Sequence, residues 1–462
     1  MKKGRGLQMI PAENFDATLK SYVQQHEEEL IRRLATLVQQ PSVSSSGEGV
    51  SQCCDLIIDR MREIGIEAVR HEVKPYPVIT GSLGNDPSKK TVLIYAHYDV
   101  QPTGDLSLWE TPPFEPQIRD GKIYGRGTAD NKGPLSAHLC AAEFWMRQYG
   151  ELPVNLKFLF EGCEESNSAG LHEFIESHQE LLRSDITYFS DGSKNHNDTP
   201  IIALGVKGML YVELVLTTMS RDLHSQYAPV LPSAAWQMVE LLGKLRRDGV
   251  VQIPGFYDDI VPISPAERAI YDQLPDVAED LKRTYNASPS YDPKLGYYGQ
   301  LNGTPSFNIS GLYSGHIGKG TATVLTSKAM ARLDMRLVAN QDGNKILENL
   351  RQYIRSLGYD NVEVICHGVT PPSKTPIDTP YLAPVQRATD RVFGKSMVYP
   401  NRPSTAPDYF WTSLLKTPTI QVRWCDFDSD NHAPNEHLRL ENYLRGIQLT
   451  ATALKEIGEL KL

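Results

Sequence analysis

The chain has 462 residues, 40% hydrophobic, 22% charged and 8% aromatic, an ordinary soluble composition with apolar material for a sizeable core. Two domains fit that length better than one or three. A formal net charge of −9 without a dense lysine or arginine tract speaks against a nucleic-acid partner, and no uncharged apolar run approaches the length needed to cross a bilayer.

The opening Met1-Lys2-Lys3-Gly4-Arg5 is basic, but no apolar stretch follows it, so the expectation is a cytoplasmic protein with no membrane partner. Residues 16–39 carry Leu19, Val23, Leu30, Ile31, Leu34 and Leu37 at helical spacing, and Pro41 stops them. A second amphipathic helix runs from about Val50 to Ile64 and ends at Gly65. Cys53 and Cys54 share a face there with Ile57, Ile58 and Met61, which assigns them to core packing rather than to a soft metal. With Cys140, Cys163, Cys366 and Cys425 they make six thinly scattered cysteines without a Cys-x-x-Cys pair, read as buried, reduced thiols.

At 91–96 the period changes to a short, nearly all-apolar run of the kind that forms a strand buried on both faces. Similar runs follow at 156–160, 186–189 and 419–424, and together they predict an α/β fold with a mixed central sheet covered by helices. Each run leads into polar residues: His97-Tyr98-Asp99, then Glu161-Gly162-Cys163-Glu164-Glu165, then Ser190-Asp191-Gly192, and last Asp426, Asp428 and Asp430 on the way to His432. Open α/β sheets hold their ligands at the carboxyl ends of strands, which is where these groups converge.

Between about 208 and 369 the pattern differs. A strand at 209–216, a helix at 232–247, a Pro-, Gly- and Tyr-rich stretch to about 320, a strand at 321–337, a helix at 345–357 and a strand at 362–365 suit a small α+β domain with an antiparallel sheet. The expected organisation is therefore one domain made of 1–207 and 370–462, interrupted by an inserted domain at 208–369.

Singly, the polar residues are ambiguous. Asp130 lies in Gly125-Arg126-Gly127-Thr128-Ala129-Asp130-Asn131-Lys132-Gly133-Pro134, a turn entering a helix at 134–149, and alone it reads as a helix cap before a ligand. The glycine pattern lacks the spacing and the Lys-Ser/Thr of a phosphate loop. Asp99 shares a strand face with His97, where it can bond one ring nitrogen and leave the other for a metal. Adjacent Glu164 and Glu165 after an apolar strand need either solvent or a cation. Together His97, Asp130, Glu164, Glu165, Asp191 and His432 offer two imidazoles and several carboxylates, the mixture that Zn²⁺ or Mn²⁺ takes. One carboxylate bridging two ions, with a histidine and an acid completing each, leaves an open position and a spare carboxylate as general base.

The strings Tyr95-Ala96-His97-Tyr98-Asp99-Val100-Gln101-Pro102, Gly125 to Gly133, Glu161-Gly162-Cys163-Glu164-Glu165-Ser166, Ser190-Asp191-Gly192 and Asn431-His432-Ala433-Pro434-Asn435-Glu436 closely resemble the co-catalytic metallopeptidases that include carnosinases, glutamate carboxypeptidases, acetylornithine deacetylases and aminoacylases. The resemblance is strongest to the carnosinase-type dipeptidase branch. It implies two divalent ions, zinc foremost and manganese or cobalt as alternatives, with Asp130 bridging, His97 and Asp191 on one ion, and Glu165 and His432 on the other. It further implies Glu164 as general base, Asp99 as partner of His97, and an inserted lid domain that forms a homodimer. In the lid it points to His224 as an oxyanion stabiliser, and to Thr323, Arg336 and Ser404 as contacts for the substrate and its carboxylate. Two segments depart from the family: Gln226-Tyr227-Ala228-Pro229 and Arg402-Pro403-Ser404-Thr405-Ala406-Pro407 stand where it has glycine-rich turns, so these loops must differ locally.

The remaining histidines, His437 among them, read as structural. The expected function is hydrolysis of the amide bond of a dipeptide or small peptide bearing a free carboxylate. An N-acyl, N-succinyl or N-carbamoyl amino-acid hydrolase is the alternative within that chemistry, and a non-catalytic metal-dependent binding protein the alternative outside it.

Overall fold

The computed structural model describes residues 12–461; the basic residues 1–5 lie outside them. The chain forms two compact units. The first takes the chain up to Leu204, then Thr375–Tyr399 and the part from Phe410 onward; the second takes Gly205–Lys374 and Pro400–Tyr409. The segment carrying Ser404 thus belongs with the insertion, although it lies beyond it in sequence.

In the first unit an eight-stranded sheet has the order Glu67–His71, Val78–Leu83, Asn155–Glu161, Thr91–His97, Ile186–Phe189, Thr419–Arg423, Ile201–Ala203, Met397–Tyr399. The four strands from Asn155–Glu161 to Thr419–Arg423 run parallel. Their apolar runs follow from position: Val92, Leu93, Ile94, Phe158, Leu159, Phe160, Ile186 and Tyr188 are fully buried because helices cover the sheet. The Lys132–Tyr149 helix, buried along most of its length, lies against the Thr91–His97 strand and the Leu440–Gly458 helix. All six cysteines are free, and Cys53 and Cys54 are buried in the Val50–Ile64 helix beside Ile57, Ile58 and Met61.

The single helix expected at 16–39 is two, Ala12–Gln25 and Glu27–Gln39, joined at His26, whose backbone leaves the helical basin and whose ring bonds the Tyr22 carbonyl at 2.9 Å. Glu27, Glu28 and Glu29 restart the helix with charges that complement its dipole.

The second unit is built on a four-stranded antiparallel sheet in the order Ser306–Tyr313, Lys328–Leu337, Gly208–Thr217, Val362–Thr370. Alternate residues Leu210, Val212, Leu214 and Leu216, with Met335, Leu333, Ala331 and Ala329 opposite, form one face of a core closed by the Ala234–Leu245 and Gly343–Ser356 helices. The strand expected at 321–337 is interrupted. Val324–Leu325 pairs with Leu223–His224, and the main strand starts only at Lys328, because the Ser327 amide and hydroxyl both donate to Asp222 at 2.7 Å and divert the chain. The Pro-, Gly- and Tyr-rich stretch is structured too: it carries the Pro265–Tyr271, Ala278–Tyr285 and Gly296–Gly303 helices and the edge strand. Among the described residues no helix is long and apolar enough to cross a membrane.

His138 gives the first unit a pH signature. Its ring is fully buried, Nδ1 meets the Thr450 hydroxyl at 3.0 Å, and Nε2 has no partner, so burial pushes it from 6.5 down to about 3. The fold holds the ring neutral, whereas the unfolded chain protonates it below 6.5. Its stabilising contribution is therefore present above 6.5 and is lost as pH falls toward 3. In denaturant titrations at pH 7 and pH 5, His138→Leu should show a smaller acid loss of stability than the native chain, by about 2 kcal/mol. An equal loss in both would show that His138 is not the group responsible.

Candidate metal centre

Three of the parallel strands deliver their polar residues to one end of the sheet. His97 is the last residue of its strand, Glu164 and Glu165 form the short turn after Asn155–Glu161, and Asp191 follows Ile186–Phe189. Asp130 comes from the loop before the Lys132–Tyr149 helix, and His432 from the loop after Thr419–Arg423. A small antiparallel sheet brings those two loops together: His437–Arg439 pairs with Lys122–Tyr124.

At the centre the Asp130 carboxylate lies between two imidazoles. Oδ1 is 3.0 Å from His97 Nε2, and Oδ2 is 2.9 Å from His432 Nε2. Asp130 does not cap the helix; Asn131 occupies the capping position, without a side-chain bond to the helix, and its amide donates to the Ser190 carbonyl at 2.8 Å. Ligand atoms of His97, Asp130 and Asp191 lie within 4.8 Å of one another, and so do those of Asp130, Glu165 and His432. The two groups share Asp130.

Electrostatics describes a site short of positive charge. Burial and then the Asp130 charge raise Asp191 to about 6. Burial drives Glu164 well above the usual carboxylate range, with His97 opposing and Asp191 and Asp130 adding to the rise. Asp130 stays below that range despite its burial because both histidines bond it. His432, bonded to Asp130 and Glu165, is raised to about 10. His97 is raised against its own burial by Asp130 and Asp99. Glu165 Oε1 is buried without a donor, an acceptor that a divalent cation would meet. Nitrogen and oxygen donors in this mixture fit borderline or hard divalent ions.

The surrounding residues fix these groups by bonds of which sequence reasoning anticipated one, that of Asp99 to His97. Asp99 is fully buried; its main-chain carbonyl is 3.1 Å and its carboxylate 3.5 Å from His97 Nδ1. That carboxylate also accepts the backbone N–H of Glu164 at 3.1 Å and of Glu165 at 3.0 Å, so one acid orients three site residues. Gln101 donates to Glu165 Oε2 at 2.8 Å.

Glu436, also fully buried, accepts from Arg126 at 2.7 Å and from the amides of Gly127, Ala129 and Asp130 at 3.0, 2.9 and 3.1 Å. It ties the Asp130 loop to the His432 loop. The only sequence signal for it is its place at the end of the Asn431 to Glu436 string. Gly127 stands at φ +90, and a Cβ there would come within 2.7 Å of Val100 and 3.2 Å of Lys132, so this loop excludes other residues. Cys163 is raised to about 11 by burial, which keeps it a thiol and unsuited to nucleophilic attack.

The other four sequence-predicted residues belong to the second unit. His224 and Thr323 are neighbours: His224 Nε2 is 3.3 Å from the Thr323 hydroxyl, and Nδ1 accepts the Gln226 N–H at 3.1 Å. The departing Gln226 to Pro229 segment closes as a short turn over Ser225–Tyr227, and no residue in it requires a positive φ. Arg336 donates to the Thr405 hydroxyl at 2.5 Å, not to Ser404, whose carbonyl instead accepts the Lys207 amide at 2.9 Å.

Comparison with known proteins places this geometry in context. The model of peptidase family M20/M25/M40 matches residues 93–456. The chain is 27% identical over 471 residues to a Cys-Gly metallodipeptidase of Schizosaccharomyces pombe, covering 95% of this chain and 98% of that one. It is 30% identical over 396 residues to the Beta-Ala-His dipeptidase of Homo sapiens, covering 83% of this chain and 78% of that one. The crystal structure of a metallo-carboxypeptidase from Sulfolobus solfataricus superposes with a TM-score of 0.81 at 33% identity, covering 93% of this chain and 99% of that one.

Glu436 offers a direct test of how the centre is held. Glu436→Gln leaves Arg126 buried beside a neutral partner, and should lower unfolding stability by about 3 kcal/mol and weaken divalent-metal binding through the loosened Asp130 loop. Native-like unfolding and metal affinity in the variant would contradict this role.

Proposed function

The chain belongs to peptidase family M20/M25/M40, and from that premise we propose that it is a metallopeptidase that hydrolyses dipeptides through a two-ion centre built on Asp130. The observation that carries this is a single carboxylate shared between two three-residue donor groups, each completed by one histidine and one further acid. His97, Asp130 and Asp191 would hold one divalent ion, and Asp130, Glu165 and His432 the other. Zinc is the first choice, with manganese and cobalt as alternatives. When bound, the ions lower the pKa of water and polarise the scissile carbonyl, which removes any need for a serine or cysteine nucleophile.

The protein's own groups account for the proton transfers. Glu164 is outside both donor groups, and its environment raises its proton affinity, as suits a carboxylate that must take a proton and give it back. In this reading its carboxylate accepts the proton of the attacking water and returns it to the nitrogen of the leaving amine as the C–N bond breaks. Asp99 keeps His97 and the Glu164 and Glu165 amides in place throughout. His224, whose Nδ1 accepts the Gln226 N–H, offers its other ring nitrogen to the developing oxyanion, with Thr323 beside it. Arg336 receives the carboxylate of the substrate, in a segment that Ser404 and Thr405 complete.

The homodimer is part of the same proposal. On the Ala234–Leu245 helix of the second unit Trp236 is 69% and Val239 50% exposed, apolar surface of the sort an interface covers. Six free cysteines support a reducing, cytoplasmic setting. Dipeptidase relatives matched along almost the whole chain favour peptides over N-acyl amino acids as substrates.

Amine release from a panel of dipeptides and N-acyl amino acids, with and without chelator, tests the reading. Dipeptides should be cleaved, the chelator should abolish turnover, and Zn²⁺ or Mn²⁺ should restore it. Glu164→Gln should lower kcat by about 10²-fold or more with its metal content intact. Faster turnover of N-acyl amino acids than of any dipeptide would overturn the substrate assignment, and full activity in Glu164→Gln would overturn the base.

A further inference from the structure

In the second unit His224 and Thr323 stand at the open end of a short ribbon, in which Leu223 pairs with Leu325 and His224 with Val324. The Ser225 amide adds a last bond to the Thr323 carbonyl at 3.0 Å. Two residue pairs are too few to hold a ribbon together in water. Leu325 is buried, whereas His224 and Thr323 are exposed, so packing secures the base of the ribbon and not its tip.

The base is fastened by one acid. Asp222 immediately precedes the Leu223–His224 strand, and a single oxygen of its carboxylate, Oδ1, accepts both the amide and the hydroxyl of Ser327. Ser327 is buried, and its carbonyl accepts the Thr218 amide at 2.8 Å, beside the end of the Gly208–Thr217 strand. The neighbouring Thr326 carbonyl accepts the Ala234 amide at 3.2 Å, at the start of the Ala234–Leu245 helix. The 326–327 segment is thus part of the rigid sheet and helix, and the Asp222 carboxylate joins the His224 strand to it. The Ser327 hydroxyl, and after it the Ser327 amide, hold the Asp222 carboxyl below the usual carboxylate range, so the acceptor is charged and its bonds are the stronger for it.

At the tip the imidazole is oriented locally. Its Nδ1 accepts the Gln226 N–H at 3.1 Å, so the neutral ring carries its proton on Nε2, 3.3 Å from the Thr323 hydroxyl. Such a donor stabilises a developing oxyanion to the extent that its place is fixed before the charge appears. We propose that Asp222 is a positioning residue for His224: through Ser327 it keeps the ribbon closed, so that Nε2 is presented in one place. The catalytic consequence rests on the oxyanion role given to His224 above, whereas the hold of Asp222 on the ribbon does not. The oxyanion exists only in the transition state, and the substrate's carboxylate is received by Arg336, so Asp222 governs the rate of turnover and not the binding of substrate.

The test combines dipeptide kinetics with amide hydrogen exchange on the full-length, metal-loaded protein. Asp222→Ala should lower kcat about tenfold or more and leave KM within about twofold of native. Asp222→Asn, whose side-chain carbonyl can accept the same two bonds, should recover most of the loss. Added to His224→Ala, Asp222→Ala should lower kcat no further, because the residue it acts through is gone. The Ser225 amide should exchange about tenfold faster in Asp222→Ala than in the native protein, while amides of the Lys328–Leu337 strand keep their protection. Ser327→Ala removes one of the two bonds and should give the same pattern at smaller size, which serves if Asp222→Ala does not fold. With His224→Ala impaired, native kcat in folded Asp222→Ala, a loss borne by KM, or an equal loss in the His224→Ala background would overturn the proposal. Unchanged exchange of Ser225 would overturn it whatever the kinetics. Native turnover in His224→Ala together with faster Ser225 exchange in Asp222→Ala would instead sink the oxyanion role of His224 and leave Asp222 as the clasp of the ribbon.

Discussion

Everything in the first unit's site follows from crowding carboxylates where water cannot screen them. Asp130 lies within 4.8 Å of a ligand atom of Asp191 on one side and of Glu165 on the other, the charges of all three act on Glu164, and two imidazoles are the only positive side chains among the residues of the two donor groups. Such an arrangement is unstable as a set of ions and must take up either protons or metal cations. Asp191 and Glu164 are shifted upward by burial and by that crowding, and the shared Asp130 is what makes a two-cation solution geometrically available.

The fold bears the cost of that crowding through buried bonds around the centre. Parallel strands bring three motifs to one sheet end, where loops replace the ladder and side chains are free to converge. Glu436 then locks two loops that are 306 residues apart in sequence, through the amide of Asp130 itself. Asp99 does the same for the strand end and the Glu164 turn. Lys132 donates to the carbonyls of Leu37 at 3.0 Å and Gln40 at 2.6 Å, which fixes the start of the helix after Asp130 to the end of the Glu27–Gln39 helix. Each tie replaces water with a permanent dipole or charge, so the ligands are positioned before any ion arrives.

The strands were legible because burial on both faces leaves no choice but apolar residues, and 186–189 and the Val50–Ile64 helix stand where the periodicity puts them. What periodicity could not carry was a break made by one side chain: His26 divides a helix whose apolar spacing continues through it, and Asp222 splits a strand from about a hundred residues away. Asp130 was ambiguous for a similar reason, since a helix cap and a ligand occupy the same place in sequence and only the fold shows two imidazoles on its oxygens. Glu436 and the second use of Asp99 were invisible because their partners are backbone amides, which every residue has.

The second unit is a different physical object: an antiparallel sheet with one dry face closed by two helices. The claim on which the account depends is that Asp130 is common to two ions. Metal content per chain, measured by elemental analysis after dialysis for the native protein and for Asp130→Ala, tests it most directly. The account predicts about two ions in the native chain and near-complete loss of both in the variant, because each donor group loses the same residue. Retention of one tightly held ion by Asp130→Ala, or a single ion in the native protein, would contradict it.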